Sequence, residues 1–295
     1  MKLLYFIISI QFSLLLSTFS IVAVDTITNE VGSAGASCIG NSVIISDIHP
    51  NVGAIHTQSY YIQYNQNYAS ELMELGLSPN EIIELLEEND IQNNPTIRQY
   101  GVVDLIDGGR SSAFTGENCM DYKGHIIGPN YAIQGNILLG ENILIEMENN
   151  FNSTEGTLAD KLMSAMQGAN VPGADTRCLE DSISSLSSFI RVAKPNDSSD
   201  NVFLDLRINN TFGQEEPIDS LQNLYDDWII ENVNAELGDI NQDEIVDILD
   251  AVQLINFILG VTDFDFIESY LADCNTDNII NIQDVIIIVN YIINI

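Results

Sequence analysis

The feature that most constrains this chain is an acidic repeat near its carboxyl end, where two twelve-residue segments begin at Asp239 and Asp273. In both segments oxygen-bearing side chains occupy positions 1, 3, 5, 9 and 12, and an apolar residue occupies position 8. Ca²⁺ takes six to eight hard oxygen ligands, which a tight turn supplies from alternate side chains and from the main-chain carbonyl of position 7. The spacing therefore predicts two calcium sites. The predicted ligands are Asp239, Asn241, Asp243, Ile245, Asp247 and Asp250 in the first loop, and Asp273, Asn275, Asp277, Ile279, Asn281 and Asp284 in the second.

Both loops depart from the usual pattern of such sites at position 6. That position is normally Gly because the turn there is sharp, but here it is Glu244 in the first loop and Asn278 in the second. Asn tolerates the left-handed backbone conformation better than Glu. We therefore expect the first loop to bind calcium more weakly. Apolar residues at helical spacing predict one helix after each loop, and no full helix before either.

A calcium loop followed by one helix, and then repeated over residues 238–293, resembles the type I dockerin repeat. The resemblance implies calcium-dependent folding and a cohesin-like or cell-surface partner. Cohesin choice in that family depends on positions 10 and 11 of each loop, often Ser-Thr, which here are Ile248-Leu249 and Ile282-Gln283. Two interpretations stay open: an attachment module, and a self-contained terminal module held together by calcium, which we prefer.

The charge of the whole chain agrees with cation binding. The formal net charge is −34 at pH 7, and no Lys or Arg follows Arg207. Nucleic-acid binding requires clustered basic residues to neutralise phosphates, so we expect no nucleic-acid partner, and anionic lipid surfaces are disfavoured for the same reason. Hydrophobic residues make up 45% of the chain, which is enough for a folded core rather than a disordered acidic chain.

The amino-terminal segment has the architecture of a signal peptide. Lys2 forms a short basic n-region, Leu3–Leu16 is an apolar h-region, and Ser17 is a small residue suited to the position before the cleavage site. Residues 1–17 are therefore predicted to be removed, which leaves a secreted or cell-surface protein without a membrane anchor. The alternative is an uncleaved anchor.

Four cysteines allow three complete pairings, between which the sequence does not choose. In an exported chain we expect one disulfide among Cys38, Cys119 and Cys178. Cys274, inside the second acidic loop, is expected to stay free.

Residues 18–230 form the predicted body, and residues 238–295 the calcium-binding tail. The strand at Thr18–Asp25 places Thr18 and Ser20 on one face and Phe19 and Ile21 on the other. A polar turn leads to a small-residue strand at Glu30–Cys38, which predicts close packing against another layer or a ligand. Further strands are predicted at 99–106, 111–115, 131–139, 182–192 and 203–208, and helices at 61–75, from 79 onward, and at 141–150, 157–168 and 217–230. This order predicts an α+β fold.

Cleavage after Ser17 would make Thr18 the first residue of the mature chain. An amino-terminal threonine can act as its own catalyst, because its α-amino group, with a pKa near 8, can accept the hydroxyl proton while Oγ attacks a carbonyl. Ser20, on the same face of the strand, is the predicted supporting hydroxyl.

Several short motifs make the body similar to the domain of unknown function 1028 family, from Thr18 to about Trp228. The motifs are Thr18-Phe-Ser-Ile-Val-Ala-Val-Asp25, Gly101-Val-Val-Asp104, Thr115-Gly116, Gly124-His125, Gln134-Gly135-Asn136 and Gly173-Ala-Asp175-Thr-Arg177. The resemblance implies an N-terminal-nucleophile (Ntn) hydrolase fold, a four-layer αββα sandwich, and by analogy the hydrolysis of an unidentified small amide.

Each candidate catalytic residue carries a structural alternative. Asn136, in the Gln134-Gly135-Asn136 motif, is predicted to bind an oxyanion, or belongs to a glycine bulge. Asp175 is predicted to hold the ammonium of Thr18 and Arg177 a substrate carboxylate, or the two form an ordinary surface ion pair. The small-residue second strand has neither the Asp nor the Lys that tunes the threonine in proteasome-type relatives.

Two further functions stay open. One is a non-catalytic binding or structural protein that carries a calcium-dependent attachment module. The other is a cohesin-docked component of a polysaccharide-degrading complex, for which no acid pair stands out among so many carboxylates.

Overall fold

The computed structural model describes residues 14–16, 18–232 and 235–294, and the chain divides into two compact units, Met1–Asn223 and Leu224–Ile295. The predicted signal peptide, residues 1–17, lies outside the described residues except for 14–16. Among the described residues, no helix is both long and apolar enough to cross a membrane.

The first unit is built on two antiparallel sheets. In chain order the strands are β1 (Leu14–Leu16), β2 (Phe19–Asp25), β3 (Glu30–Ser37), β4 (Ser46–His49), β5 (Gly53–Tyr61), β6 (Arg98–Asp104), β7 (Arg110–Thr115), β8 (Gly124–Ile127), β9 (Tyr131–Gly135), β10 (Ser187–Ala193) and β11 (Leu204–Ile208). The first sheet has the order β1-β5-β6-β7, and β4 also pairs with β5. The second has the order β11-β10-β3-β2-β9-β8, which puts β2 in its middle.

The described residues form eight α-helices, four of which cover the outer faces of the two sheets. In chain order they are α1 (Gln63–Glu74), α2 (Pro79–Glu88), α3 (Asn142–Ser153), α4 (Leu158–Gly168), α5 (Pro217–Asn232), α6 (Ile248–Ile258), α7 (Phe266–Ala272) and α8 (Ile282–Asn294). Helices α1 and α2 pack on the first sheet, and α3 and α4 on the second. Strand β2 contacts β5 and β6 of the other sheet, so the two sheets face each other. The mixed α+β class predicted from the sequence is confirmed.

The β2–β3 hairpin shows why its second strand needs small side chains. A Cβ on Gly32 would lie 2.4 Å from a Leu162 methyl of α4, and one on Gly35 would lie 2.9 Å from the Ser20 Cβ. Both distances are shorter than real carbon contacts, so glycine is required for close approach. Of the two expectations for this strand, close packing is the one observed.

Valine and alanine side chains fill much of the space between the sheets. Val22 and Val24 of β2 are fully buried in a cluster with Ala54 of β5 and Val103 of β6. They lie on the same face of β2 as Thr18 and Ser20, because side chains of a strand alternate between its two faces. The polar residues of β2 are therefore buried between the sheets together with this apolar cluster.

The described structure adds elements that the sequence analysis did not contain. Strands β4, β5 and β8 were not predicted, and β10 begins at Ser187 rather than at residue 182. A disulfide joins Cys38 to Cys178, with Cα atoms 5.7 Å apart, while Cys119 and Cys274 are free. The expectation of one bridge among the first three cysteines is confirmed.

The tail packs α6 and α8 together around a small core. Its buried apolar side chains are Ile240, Val246, Ala251, Leu254, Ala272, Val285 and Ile288. Helix α7 ends at Ala272, directly before the second acidic loop. The expectation of no full helix before either loop therefore needs correction for the second, where Asp265 caps α7 by accepting the Glu268 N–H at 2.8 Å.

Candidate active site and calcium loops

Three neighbouring strands of the second sheet bring Thr18, Ser37 and Asn136 to the same end of the sheet. Phe19 pairs with Ala36 of β3 on one side and with Gly135 of β9 on the other. One step further along each strand, Thr18 lies between Ser37 and Asn136. The Asn136 N–H donates to the Thr18 carbonyl at 3.1 Å. The sheet register thus brings together two residues that are far apart in the sequence.

The Thr18 side chain is fully buried, and its hydroxyl has no hydrogen-bond partner among the residues that the structure describes. Its carbonyl, in contrast, accepts hydrogen bonds from Asn136 and from Gln58 Nε2, the latter at 3.3 Å. Buried polar groups are nearly always hydrogen-bonded, so an exception calls for an explanation. Three other buried hydroxyls also have no partner among the described residues, those of Ser42, Thr57 and Ser59. At Thr18 this coincides with a main chain that is held in place by two hydrogen bonds.

Amide side chains surround this end of β2. Gln99 Oε1 accepts from Gln58 Nε2 at 2.8 Å and from Asn136 Nδ2 at 2.9 Å. Gln99 Nε2 donates to the Gly135 carbonyl at 2.8 Å. Gln134, from the same motif as Asn136, donates to Ser20 instead, at 2.7 Å. Of the Gln134-Gly135-Asn136 motif, therefore, it is Asn136 that lies beside Thr18.

Ser20 is fully buried in a polar network between the sheets. Its hydroxyl donates to Gln58 Oε1 at 2.7 Å and lies 2.9 Å from His56 Nδ1. His56 Nε2 lies 2.6 Å from the Ser33 hydroxyl. Burial, with a smaller effect from Arg191, lowers the pKa of His56 to about 3, so the imidazole is neutral near pH 7. Ser20 and Thr18 both contact Gln58, which agrees with Ser20 as a supporting hydroxyl.

Asp175 and Arg177 form a bidentate ion pair at the edge of this site. Arg177 Nη2 lies 2.7 Å from Asp175 Oδ2, and Arg177 Nε lies 3.0 Å from Oδ1. Asp175 is fully buried and also accepts the Cys38 N–H at 2.8 Å, so both of its oxygens are engaged. Arg177 is 29% exposed and donates to the Ser37 hydroxyl at 3.4 Å. The Asp175–Arg177 pair is therefore largely buried rather than on the surface. Arg177 contacts Ser37, which lies next to Thr18 in the sheet.

The two acidic loops of the tail fold as tight turns around buried carboxylates. Asp250 is fully buried, and its oxygens accept the N–H groups of Ile240 at 2.8 Å and of Asp247 at 2.8 Å. In the second loop, fully buried Asp284 accepts from Asn275 and from Asn281. Both loops therefore close through the carboxylate at position 12.

A divalent cation fits the chemistry of these loops. Asp239, Asp250 and Asp284 are buried, and no Lys or Arg follows Arg207 that could neutralise them from within the tail. Buried carboxylates require such compensation. Within the described ranges, no three or more His, Cys, Asp or Glu side chains are arranged as a metal centre. The first loop contributes four Asp side chains to the expected ligand set, so these carboxylates do not converge on one point in this structure.

Comparison with known proteins identifies both parts of the chain. Residues 18–221 match the model of the family of unknown function DUF1028, which spans more than half of the chain. The chain belongs to this family. Residues 237–293 match the type I dockerin domain. Dockerin domains in general bind calcium and cohesin partners, and they occur in extracellular or cell-surface proteins.

A solved structure has the same fold as the DUF1028 domain. It is the crystal structure of protein SPO2555 from Silicibacter pomeroyi, which also carries the DUF1028 family model. The match covers 72% of this chain and 89% of that one, at 22% sequence identity and a TM-score of 0.60. At this identity the likeness concerns the fold alone. No curated protein matches the chain.

His56 and Gln99 were not predicted as site residues, although both contact the residues around Thr18. His56 lies on β5, a strand that was not predicted, and Gln99 lies on β6. The segment Gly53–Tyr61 carries no clear strand signal, because the consecutive polar residues His56, Thr57 and Gln58 interrupt the alternation of apolar and polar side chains.

We expect His56 to make the DUF1028 domain sensitive to acid. The pKa of His56 is about 3 in the folded state and near 6.5 in an unfolded chain. Between these values only the unfolded chain takes up the proton, so the free energy of unfolding falls as the pH falls. The slope is at most about 1.4 kcal/mol per pH unit. Urea unfolding at pH 6.5 and 5.5, in saturating calcium, measures it.

The control compares two histidine variants. His56→Gln should remove most of this slope, whereas His125→Gln should remove only the smaller part that comes from the pKa of His125, which burial also lowers. His49 should not produce this slope. Burial lowers the pKa of His49, but the hydrogen bonds and charges of Asp47 and Glu74 outweigh burial and raise that pKa above its ordinary value. The stability that His49 contributes is therefore lost only above pH 6.5. Equal slopes in the wild type and His56→Gln would contradict a neutral His56.

Replacing Glu244 by Gly should strengthen the first calcium loop. Glu244 has φ of 69°, in the left-handed region that costs an ordinary residue roughly 1–2 kcal/mol. Asn278, at the same position of the second loop, has φ of 63° but belongs to a residue type that tolerates it. Calcium titration should show tighter binding, by about tenfold, for Glu244→Gly and a smaller change for Asn278→Gly. Equal gains in calcium affinity for the two variants would show that the left-handed backbone at Glu244 does not weaken the first loop relative to the second.

Proposed function

We propose that the DUF1028 domain is an Ntn-type amide hydrolase whose nucleophile is Thr18, released by cleavage after Ser17. The observation that carries this proposal is the fully buried Thr18 hydroxyl without a hydrogen-bond partner among the described residues, next to a carbonyl fixed by Gln58 and Asn136. A hydroxyl that is held in place by its own main chain and left without a partner is suited to attack.

The arrangement of layers supports the same assignment. Helices α1 and α2, the two facing sheets, and helices α3 and α4 follow one another in the order expected for an αββα sandwich. Thr18 directly precedes β2, which lies in the middle of the second sheet.

The proposed reaction needs only groups of the mature chain and water. The α-amine of Thr18 takes the hydroxyl proton while Oγ bonds to the amide carbon, and an oxyanion forms. When the C–N bond breaks, the leaving nitrogen receives that proton and departs as an amine. Water then attacks the ester on Oγ with the α-amine again as base, which releases a carboxylic acid and restores Thr18.

Neighbouring residues can support these steps. Asn136, directly after strand β9 and beside Thr18, is the candidate donor to the oxyanion through Nδ2, which would give up its hydrogen bond to Gln99 to do so. Arg177, partly exposed and held by buried Asp175, is the candidate partner for a substrate carboxylate. Since both oxygens of Asp175 are engaged by Arg177 and Cys38, we assign to Asp175 the positioning of Arg177 rather than direct contact with the Thr18 ammonium.

We further propose that the protein is exported and that its dockerin domain binds two calcium ions and attaches it to a partner. Apolar residues at positions 10 and 11 are more than half exposed: Ile248 is 59% exposed, Leu249 58% and Ile282 58%. A module that served only its own stability would gain nothing from such exposure. This observation favours attachment over the self-contained module that the sequence analysis preferred.

Two chains test the catalytic proposal. One begins at Thr18, exposed by removing a cleavable fusion, and the other retains residues 1–17. A panel of peptide and simple amides should be hydrolysed only by the chain that begins at Thr18. Mass spectrometry of the secreted protein should show the same start. Hydrolysis of equal rate by both chains would exclude an amino-terminal nucleophile.

A further inference from the structure

Strand β5 has a divided outer edge. Along one edge it pairs with β6 from Gly53 to Ser59. Along the other it pairs with β4 from Gly53 to His56, and with β1 from Ser59 to Tyr61. The second half of this edge is therefore occupied by the segment Leu14–Leu16, which precedes the cleavage position proposed above.

The register of β1 on β5 runs the chain in the direction of the candidate nucleophile. Leu14 pairs with Tyr61, Leu15 with Tyr60 and Leu16 with Ser59, in antiparallel orientation. A single residue then separates β1 from Thr18. Gln58, next to Ser59 on β5, donates to the Thr18 carbonyl at 3.3 Å. The segment on the β5 edge thus leads directly to the peptide bond that precedes Thr18.

We infer that the β5 edge at Ser59–Tyr61 is the substrate-binding edge for the acyl side, and that the substrate is an extended peptide-like chain paired antiparallel to β5. The inference rests on the proposed function, and it replaces the small amide expected from the sequence by a longer chain. Before cleavage, Leu14–Leu16 occupies the part of this edge that we assign to the substrate residues on the acyl side of the cleaved bond.

The physical basis is main-chain hydrogen bonding. Once the leader leaves, the main-chain N–H and C=O groups of Ser59–Tyr61 that face β1 lose their partners, and an open strand edge accepts another extended chain. Recognition by main-chain groups selects extended geometry, while a simple amide without flanking peptide units offers no such pairing. The amide that follows the bound residues is delivered to Thr18, and hydrolysis leaves a peptide carboxylate and an amine.

Binding can be measured without catalysis. The protein is the calcium-loaded chain that begins at residue 18 and carries Thr18→Ala, and the probe is acetyl-Leu-Leu-Leu-Ser-amide, which has the sequence of residues 14–17. A matched probe carries N-methyl groups on its leucine amides and cannot donate to β5. The control protein is the chain that retains residues 1–17, in which the edge is already occupied.

The expected result is that the unmethylated probe binds the shortened chain at least tenfold more tightly than the methylated probe does, and more tightly than it binds the chain with its leader. Hydrogen exchange at Ser59–Tyr61 should be faster in the shortened chain and should slow when the probe is added. Equal binding of both probes, or unchanged exchange at Ser59–Tyr61, would overturn the substrate-edge inference.

The outcome also separates this inference from the proposed function. Selective binding of the probe by the Thr18→Ala chain, together with no amide hydrolysis by the chain that begins at Thr18, would retain the binding edge and reject the hydrolase. Hydrolysis that depends on Thr18 without selective binding at β5 would retain the hydrolase and reject the edge.

Discussion

Thr18→Ala should reduce amide hydrolysis by at least about a thousandfold in the chain that begins at residue 18, because the proposed covalent step has no other nucleophile. Thr18 is fully buried, and alanine removes only the hydroxyl and one methyl group. The fold should survive, because the main-chain contacts of Thr18 with Gln58 and Asn136 do not involve its side chain. Hydrolysis rates and circular dichroism of the two chains give the comparison.

Two variants make the result specific. Thr18→Ser retains the hydroxyl and should keep part of the activity. Ser20→Ala removes a hydroxyl that bonds to Gln58 and lies beside His56, so we expect a moderate loss rather than abolition. If Ser20→Ala lost as much activity as Thr18→Ala, Ser20 would have to take part in the chemistry, and its role as a merely supporting hydroxyl would be wrong.

Local patterns predicted the elements of the DUF1028 domain that have clear sequence signals. The β2–β3 hairpin follows from an alternating strand, a polar turn and a strand of small residues, and helix α2 begins at residue 79 as predicted. Strands β4 and β5 were missed because β5 carries polar residues on both faces. Such a strand lacks the apolar alternation by which a strand is recognised.

The candidate site could be predicted only in part, because most of its contacts join distant residues. The position of Thr18 and Ser20 on one face follows from the two-residue side-chain repeat of a β-strand alone. The contact of Arg177 with Ser37 spans 140 residues, and it is fixed by the Cys38–Cys178 disulfide and by the Cys38 N–H bond to Asp175. No spacing rule within the sequence contains that information, so Arg177 was a candidate without a known location.

The tail was more predictable because each loop is a local structure. Twelve consecutive residues contain the whole proposed ligand set, and the carboxylate of Asp250 closes the loop that begins eleven residues earlier. Helix α7 was missed because it has only seven residues, from Phe266 to Ala272. A segment of that length shows too little periodicity to be recognised.

Removing calcium should unfold the dockerin domain while the DUF1028 domain stays folded. One ion at a thousandfold excess over its dissociation constant stabilises a fold by about 4 kcal/mol, so two ions contribute on the order of 8 kcal/mol. That is comparable to the whole stability of an ordinary domain. The cluster of buried apolar side chains in the tail is small, and without metal its buried carboxylates have no Lys or Arg in the tail to offset them. Chelation should therefore remove the helical circular dichroism of α6 and α8, and added calcium should restore it.

Asp250→Asn tests which residues hold the metal. The variant keeps the size of a fully buried side chain, but it loses the charge and one of the two oxygens that accept the Ile240 and Asp247 N–H groups. We expect calorimetric titration to give one calcium ion in place of two, with a loss of tail stability of about 4 kcal/mol at high calcium. Asp263→Asn makes the same chemical change at an exposed residue outside both loops, and it should leave stoichiometry and stability unchanged. If both variants bound two ions with unchanged affinity, the carboxylate that closes the first loop would have no part in binding the metal, and the ligand assignment of that loop would be wrong.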